Sequence, residues 1–174
     1  PYSLPTEIEL ANHCLMIERA GGLPIMLYNY PSRTGVSMGR SFLEKVTKRK
    51  NFCVIKEASG EIDRLHLIAR EFPQIALSCG AEDQALEFFV WGATSWVTPM
   101  GNFFINEVSK FFNTCVVENK FNEGRVIMSA LLPLTTVIER GGKFAQAIKY
   151  LCSLQGLPSG PVRLPLRELK NEER

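Results

Sequence analysis

The chain has 174 residues, of which 45% are hydrophobic and 22% are charged, an ordinary composition for a globular protein with a sizeable core. Twenty basic residues against eighteen acidic ones give a net charge of +2, and no basic run is interleaved with aromatic residues, so we expect no nucleic-acid partner. No uninterrupted apolar segment is long enough to span a bilayer, so we expect no membrane partner either.

The N-terminal segment predicts a helix followed by a strand. Thr6 and Glu9 have the spacing of a capping box, and apolar residues at helical spacing then predict a helix over residues 6–19. Paired glycines would end this helix. Residues 24–28, "PIMLY", then read as a short buried strand before the breaker-rich loop "NYPSRTG".

The same order of helix and strand recurs three more times. Strands are predicted at residues 52–56, 75–78 and 95–98, each after an amphipathic helical pattern. They are continuous apolar runs rather than alternating ones, which is typical of a parallel sheet covered on both faces. The repeated order predicts an α/β fold built of βαβ units.

Only helices are predicted after residue 102. Three apolar stripes begin at Ile105, Ile127 and Phe144. Pro133 is expected to bend or split the middle helix. No linker rich in Pro, Gly or Ser separates two domains, so we expect the helical tail to pack on the α/β part.

Five cysteines are widely separated, with no C-x-x-C motif and no short Cys/His cluster. No zinc site or other metal site is therefore predicted. The odd number favours free thiols in a reducing compartment. Since the N-terminus "PYSLPTEIE" lacks a basic segment followed by an apolar one, we expect a cytoplasmic protein.

The second predicted strand ends on a lysine, Lys56, in "FCVIKEASG". In parallel α/β sheets, functional groups collect at the carboxyl ends of strands, where Tyr28 and Gly80 also fall. A lysine approached through apolar residues is partly removed from water, which favours the neutral amine that attacks a carbonyl carbon. A simpler interpretation is that Lys56 snorkels to solvent and pairs with Glu57 or Glu61.

Two segments in this order, "LYNYPSRTG" and "VIKEASG", resemble the strongest local motifs of the pyruvate-dependent class I aldolases, the family of dihydrodipicolinate synthase and N-acetylneuraminate lyase. The segments "PYSLPT", "CGAEDQAL", "GATSWVTPMGN" and "GPVRLPL" extend the resemblance over nearly the whole chain. It implies a (β/α)₈ TIM barrel with a C-terminal helical extension, assembled as a homotetramer.

A TIM barrel needs about 250 residues, so the resemblance implies that this chain is part of a longer protein. Residues 1–102 would supply the second half of the barrel, with four parallel strands. Residues 103–174 would form the helical extension packed on it. The family's glycine and hydroxyl loop, "GTTGE" in many members, is absent from this sequence.

The resemblance implies a Schiff-base lyase that needs no cofactor. Lys56 resembles the lysine that forms an imine with the 2-oxo group of pyruvate, and Tyr28 resembles the tyrosine that moves protons and contacts the bound keto acid. Tyr2 is similar to a second tyrosine that completes the relay across a subunit interface. The implied reaction condenses pyruvate with an aldehyde or cleaves a 2-keto-3-deoxy acid to pyruvate.

Three further residues match substrate-binding positions of the family. Arg33, in "PSRTG", resembles an arginine that binds the carboxylate of the second substrate, although a solvated loop arginine is the simpler interpretation. Gly80 and Val97 match positions whose backbone lies close to bound pyruvate, although Val97 also fits a core residue. Residues 141–149, "GGKFAQAIK", replace the "NPIPVK" of many synthases and leave the aldehyde unidentified.

A second function of a different class stays open at this stage. The chain would then be non-catalytic, either because it lacks the N-terminal half of a barrel or because it binds keto acids as a sensor. The presence of both Lys56 and Tyr28 favours the lyase over the sensor.

Overall fold

The computed structural model describes residues 3–174. Within this range, four strands and eight α-helices follow one another along the chain. The strands are β1 (Ile25–Asn29), β2 (Phe52–Glu57), β3 (Ala76–Cys79) and β4 (Ser95–Trp96). The helices are α1 (Glu7–Gly21), α2 (Pro31–Thr34), α3 (Arg40–Val46), α4 (Ile62–Glu71), α5 (Ala85–Val90), α6 (Ile105–Phe112), α7 (Phe121–Arg140) and α8 (Phe144–Leu154).

The predicted capping box fixes the beginning of α1. The Oγ1 atom of Thr6 accepts a hydrogen bond from the Glu9 amide at 3.3 Å, and the Glu9 carboxylate accepts one from the Thr6 amide at 2.8 Å. At the other end, Gly22 adopts a left-handed conformation with φ of 61° and donates its amide to the Glu18 carbonyl. Glycine suits this position because it has no Cβ to clash.

The four strands form one parallel sheet in the order β1-β2-β3-β4. The register pairs Tyr28 with Lys56, Lys56 with Ser78, and Ser78 with Ser95. These four residues therefore form one row near the carboxyl ends of the strands. The α/β fold with four parallel strands that the sequence predicts is confirmed.

The two faces of the sheet differ in exposure. Leu27, Ile55 and Leu77 lie on one face and are at most 5% exposed. On the other face, Met26 and Tyr28 are 46% and 45% exposed. The apolar runs predicted two covered faces, but in residues 3–174 the second face is covered only in part, with Ser78 buried and Met26 and Tyr28 exposed on it. Sequential strand order with right-handed crossovers accounts for this, since it places every connecting helix on the same side of the sheet.

The chain divides into two compact units, of which the first ends at Val97 and the second runs from Thr98 to Arg174. The second unit is helical, with a π-helical turn at Asn113–Val117 between α6 and α7. Helix α7 continues through Pro133, so of the two effects expected of this proline, a bend or a split, the split does not occur. No helix in residues 3–174 combines the length and apolar character needed to cross a membrane.

Candidate active site

The carboxyl ends of β1 and β2 bring together two of the residues that the resemblance assigns to catalysis. Lys56 is half-buried, and its Nζ atom lies 4.1 Å from the centroid of the Tyr28 ring. This is the geometry of a cation–π contact. The Tyr28 ring stacks in turn on that of Tyr30, with centroids 5.6 Å apart and an interplanar angle of 27°. The amine is thus held against an aromatic wall on the open face of the sheet.

Lys56 does not pair with the acidic residue that follows it. Neighbouring residues of a strand point to opposite faces, and Glu57 points to the helical side, where it accepts a hydrogen bond from Arg64 at 3.1 Å. Of the ion pairs that residues 3–174 form, none includes Lys56. The simpler interpretation, a strand-end ammonium paired with Glu57 or Glu61, is therefore not the arrangement found.

Gly80 lies directly beside the stem of Lys56. Its amide donates to the Glu57 carbonyl at 2.9 Å. A Cβ built on Gly80 would lie 2.7 Å from Cε of Lys56 and 2.9 Å from the Glu57 carbonyl oxygen. A side chain at this position would displace the lysine, so glycine is required here by close packing rather than by an unusual φ angle.

A buried hydroxyl next to Lys56 was missed by the sequence reasoning. Ser78 is the register neighbour of Lys56 on β3 and is completely buried. Its Oγ atom makes no hydrogen bond with any residue of the part of the chain described. The available signal was a polar residue inside the apolar run "IALSC".

Arg33 reaches the same rim through an aromatic contact. It lies on α2 and is exposed, and its guanidinium carbon is 5.8 Å from the centroid of the Tyr30 ring. Since Tyr30 stacks on Tyr28, the cation of Arg33 and the amine of Lys56 flank one aromatic pair. The fork of Arg33 has no ion-pair partner in residues 3–174.

The other two residues assigned to the site from the resemblance are placed less fully. Val97 follows β4, is 45% exposed and donates its amide to the Cys79 carbonyl at 3.1 Å. Val97 is therefore not a core residue of the chain described. Tyr2 lies outside the described residues.

A buried polar cluster lies on the helical side of the same strand ends. Glu57, which is 1% exposed, accepts hydrogen bonds from the side chains of Asn29 and Arg64 and from the Ser59 amide. Asn29 is also 1% exposed, and it accepts from the Met38 amide at 2.9 Å. Sequence reasoning gave Asn29 no role and gave Glu57 only that of an ion-pair partner for Lys56, although the two residues directly follow Tyr28 and Lys56 in the two motifs.

The second unit contains a cavity of about 360 Å³, lined in part by Lys149, Tyr150 and Arg174. None of the predicted site residues that lie in the described part of the chain lines it. In residues 3–174, no three His, Cys, Asp or Glu side chains are grouped so that they could hold a metal ion. The chemistry that the geometry offers is therefore that of the amine, phenol and hydroxyl row.

Comparison with known proteins places these observations in a family. A sequence model of the "Dihydrodipicolinate synthetase family" matches residues 1–174. The 4-hydroxy-tetrahydrodipicolinate synthase of Exiguobacterium sibiricum is 30% identical over 168 residues, which cover 95% of this chain and 56% of the relative. The 4-hydroxy-tetrahydrodipicolinate synthase 1 of Halalkalibacterium halodurans is 31% identical over 173 residues, which cover 99% of this chain and 58% of the relative.

Solved structures agree with these sequence matches. The 4-hydroxy-tetrahydrodipicolinate synthase of Methylacidiphilum fumariolicum superimposes with a TM-score of 0.86 at 30% identity, covering 97% of this chain and 56% of that one. The Cyanidioschyzon merolae synthase with lysine bound gives 0.86 at 28% identity, covering 97% and 57%. The predicted TIM-barrel family is confirmed. The chain spans less than two thirds of the length of these relatives.

Proposed function

The chain belongs to the dihydrodipicolinate synthetase family, and from this premise we propose that Lys56 is the imine-forming residue of a Schiff-base lyase. The enzyme would condense pyruvate with an aldehyde, or cleave a 2-keto-3-deoxy acid to pyruvate. The observation that carries the proposal is the placement of the Lys56 Nζ atom 4.1 Å from the Tyr28 ring centroid, at the carboxyl ends of a parallel sheet. Active sites of barrel enzymes lie at this end.

The first step of the proposed reaction uses the neutral amine of Lys56. Its lone pair attacks C2 of pyruvate to form a C–N bond, and the former keto oxygen leaves as water after taking up protons. The protonated imine then accepts the electron pair when C3 loses a proton. The resulting enamine attacks the aldehyde carbon, and hydrolysis returns the free amine. No redox change occurs.

Tyr28 supplies the proton relay in this proposal. A phenol next to the amine can pass a proton to the departing oxygen and return it during hydrolysis. Ser78, the buried register neighbour of Lys56, adds a hydroxyl on the same face of the sheet. Gly80 leaves room for the lysine stem and for the ligand bound to it.

Arg33 is proposed to recognise the second substrate. Its planar guanidinium suits a carboxylate, and its contact with Tyr30 holds it near the aromatic pair. The backbone of Val97 at the neighbouring strand end would line the pyruvate site. The aldehyde would therefore carry a carboxylate, which is as far as the substrate class is specified.

We further infer that the protein works as a homo-oligomer, a tetramer by the family resemblance, in which Tyr2 of a neighbouring subunit completes the relay. This inference rests on the family resemblance alone. The two edge strands of the sheet in residues 3–174, β1 and β4, do not bear on it, because the other strands of a closed barrel would pair both of them.

A second candidate function is keto-acid binding without catalysis. The observation that favours it is the exposed Arg33, whose guanidinium can bind a carboxylate whether or not Lys56 forms an imine. A sensor would bind pyruvate reversibly, without a covalent bond. Chemical trapping separates the two candidates.

The test is reduction of the protein with borohydride in the presence of pyruvate, followed by peptide mass spectrometry. We expect a stable secondary amine at Lys56 and at no other lysine, because borohydride reduces the imine that the proposed site forms and the other lysines lie outside that site. Replacing Lys56 by Ala should abolish trapping, whereas replacing the exposed Lys48 by Ala should leave it unchanged. Tyr28→Phe should slow turnover about 100-fold while slower trapping continues.

Two results would refute the lyase proposal. One is labelling that persists in the Lys56→Ala protein with activity intact. The other is reversible pyruvate binding to the wild-type protein without any reducible adduct, which would favour the sensor.

A further inference from the structure

The buried carboxylate of Glu57 is tied to the site by four hydrogen bonds. Asn29 Nδ2 donates to Oε1 at 3.0 Å and to Oε2 at 2.8 Å, the Ser59 amide donates to Oε1 at 2.8 Å, and Arg64 Nε donates to Oε2 at 3.1 Å. The carboxylate is 1% exposed, and the Arg64 side chain is 9% exposed. Buried polar groups that are fully satisfied in this way make a region rigid.

The cluster holds the backbone next to both Tyr28 and Lys56. Asn29 follows Tyr28, and Glu57 follows Lys56. The sheet register pairs Tyr28 with Lys56 and Asn29 with Glu57. A shift of Glu57 relative to Asn29 would therefore move the Lys56 backbone relative to the Tyr28 backbone.

The same cluster closes the segment that carries Arg33. This segment, residues 30–38, leaves β1 after Asn29 and returns to the cluster at Met38. The Met38 amide donates to Asn29 Oδ1 at 2.9 Å, and the Met38 carbonyl accepts from Arg64 Nη2 at 2.6 Å. Both ends of the segment are thus held by groups that contact Glu57.

We propose that Glu57 is a positioning residue that sets the geometry of Lys56, Tyr28 and the 30–38 segment from the opposite side of the sheet. The proposal rests on the proposed function of Lys56 as the imine-forming residue. Glu57 does not touch the substrate, because its side chain points to the helices. It acts by fixing where the amine and Arg33 stand, and a misplacement of about 1 Å can slow a reaction about 100-fold.

A control of matched chemistry lies at the other end of the same strands. Glu18 of α1 is 3% exposed and accepts from Asn51 Nδ2 at 2.7 Å and from Arg49 at 3.2 Å and 3.3 Å. Asn51 precedes β2, and its carbonyl accepts the Ile25 amide at the start of β1. Glu18 therefore anchors α1 to the segment that precedes β2, with the same donor types and at the opposite end of the strands from Lys56.

The test compares Glu57→Gln with Glu18→Gln in the complete protein. Each change replaces one acceptor oxygen by an amide nitrogen that faces other donors, so both variants should melt at a lower temperature. At a temperature where both are folded, the rate of pyruvate trapping by borohydride should fall at least tenfold in Glu57→Gln. In Glu18→Gln it should stay within twofold of wild type. Equal rates in the two folded variants would overturn the positioning role.

Amide hydrogen exchange gives a second readout that does not depend on the reaction. The Met38 amide should exchange at least tenfold faster in Glu57→Gln than in Glu18→Gln, because its acceptor Asn29 loses its anchor. If the wild-type protein is never trapped, the proposed function of Lys56 fails. If the Met38 amide of Glu57→Gln exchanges at the wild-type rate, the positioning role of Glu57 fails.

A milder variant keeps the proposal testable if Glu57→Gln does not fold. Arg64→Lys retains the positive charge but loses the second nitrogen that reaches the Met38 carbonyl. We expect slower trapping and faster Met38 exchange here too, with a smaller loss of melting temperature. A folded Arg64→Lys protein with wild-type trapping and wild-type exchange would count against the proposal.

Discussion

A cluster of one glutamate, one arginine and one asparagine lies at each end of the parallel sheet, and the two clusters differ in the residues that lie beside them. At the amino end, Glu18 accepts from Arg49 and Asn51. At the carboxyl end, Glu57 accepts from Arg64 and Asn29. The arginine is 50% exposed in the first cluster and 9% exposed in the second.

This difference separates anchoring from positioning. The Glu57 cluster joins β1 to β2, and the Glu18 cluster joins α1 to the segment before β2, so each contributes to the stability of the unit. Only the carboxyl-end cluster has an amine, a phenol and a close-packed glycine next to it, those of Lys56, Tyr28 and Gly80. Barrel folds in general keep stability at one end and chemistry at the other. Under the proposed function the carboxyl end would have both, on opposite faces of the sheet.

The largest expected difference between the two ends is in stability. Arg64→Met should lower the free energy of unfolding by about 3–5 kcal/mol, because it leaves the Glu57 carboxylate buried without its cation. Arg49→Met should cost about 1 kcal/mol, because this arginine is half-exposed and Asn51 still donates to Glu18. Urea denaturation of both variants measures this, and equal losses would remove the distinction between the ends.

A smaller difference in stability is expected when one glycine near each end of the sheet is replaced by alanine. Gly80→Ala should cost about 1–3 kcal/mol and should strongly slow trapping at Lys56, since the new Cβ would overlap the lysine stem. Gly21→Ala, at the last residue of α1, meets no atom within 4 Å and should be neutral or stabilising by up to about 1 kcal/mol. Normal trapping in Gly80→Ala would show that the close packing is not needed.

The sequence predicted that Tyr28 and Lys56 meet at one end of the sheet, but it did not predict the hydrogen bonds that surround them. The capping box of Thr6 and the apolar runs are local signals, so the helices and strands of the first unit follow from them. The positions of Tyr28 and Lys56 at strand ends, together with the parallel order, were enough to predict that they meet. Their assigned roles remain proposals.

What the sequence could not supply was long-range pairing. Glu57 follows Lys56 in the chain, which suggests that the two charges pair, but the alternation of side chains along a strand turns them to opposite faces. Its actual partners, Asn29 and Arg64, are 28 and 7 residues away and meet it only through the register and the packing of α4. The exposure of one sheet face likewise depends on where all the helices lie, which no single strand encodes.

The smallest expected effect concerns the cysteines of the two ends. Cys53, near the start of β2, is exposed, whereas Cys79, at the end of β3, is completely buried. A thiol reagent at pH 8 should therefore label Cys53 first and leave Cys79 unlabelled in the folded protein. Trapping at Lys56 should stay within twofold after labelling, because Cys53 lies at the anchoring end. A large loss of trapping would mean that the amino end also influences the reaction.

Cys115, in the helical unit, provides the pH reference for this experiment. Burial raises the pKa of its thiol to about 11 from an ordinary value of 9.0. Because the thiolate is the reactive form, only about 0.1% of Cys115 is reactive at pH 8, and its labelling rate should rise about tenfold per pH unit until pH 11.

The stability that the buried neutral thiol contributes is fully present below pH 9 and is lost as the pH rises from 9 towards 11. Labelling of Cys115 that sets in with a midpoint near pH 9, in protein that is still folded, would contradict its burial. If Cys53 is labelled at pH 8 and Cys115 is not, the reagent reports the exposure of thiols in the folded chain and not unfolding. The two ends of the sheet can be compared only under this condition.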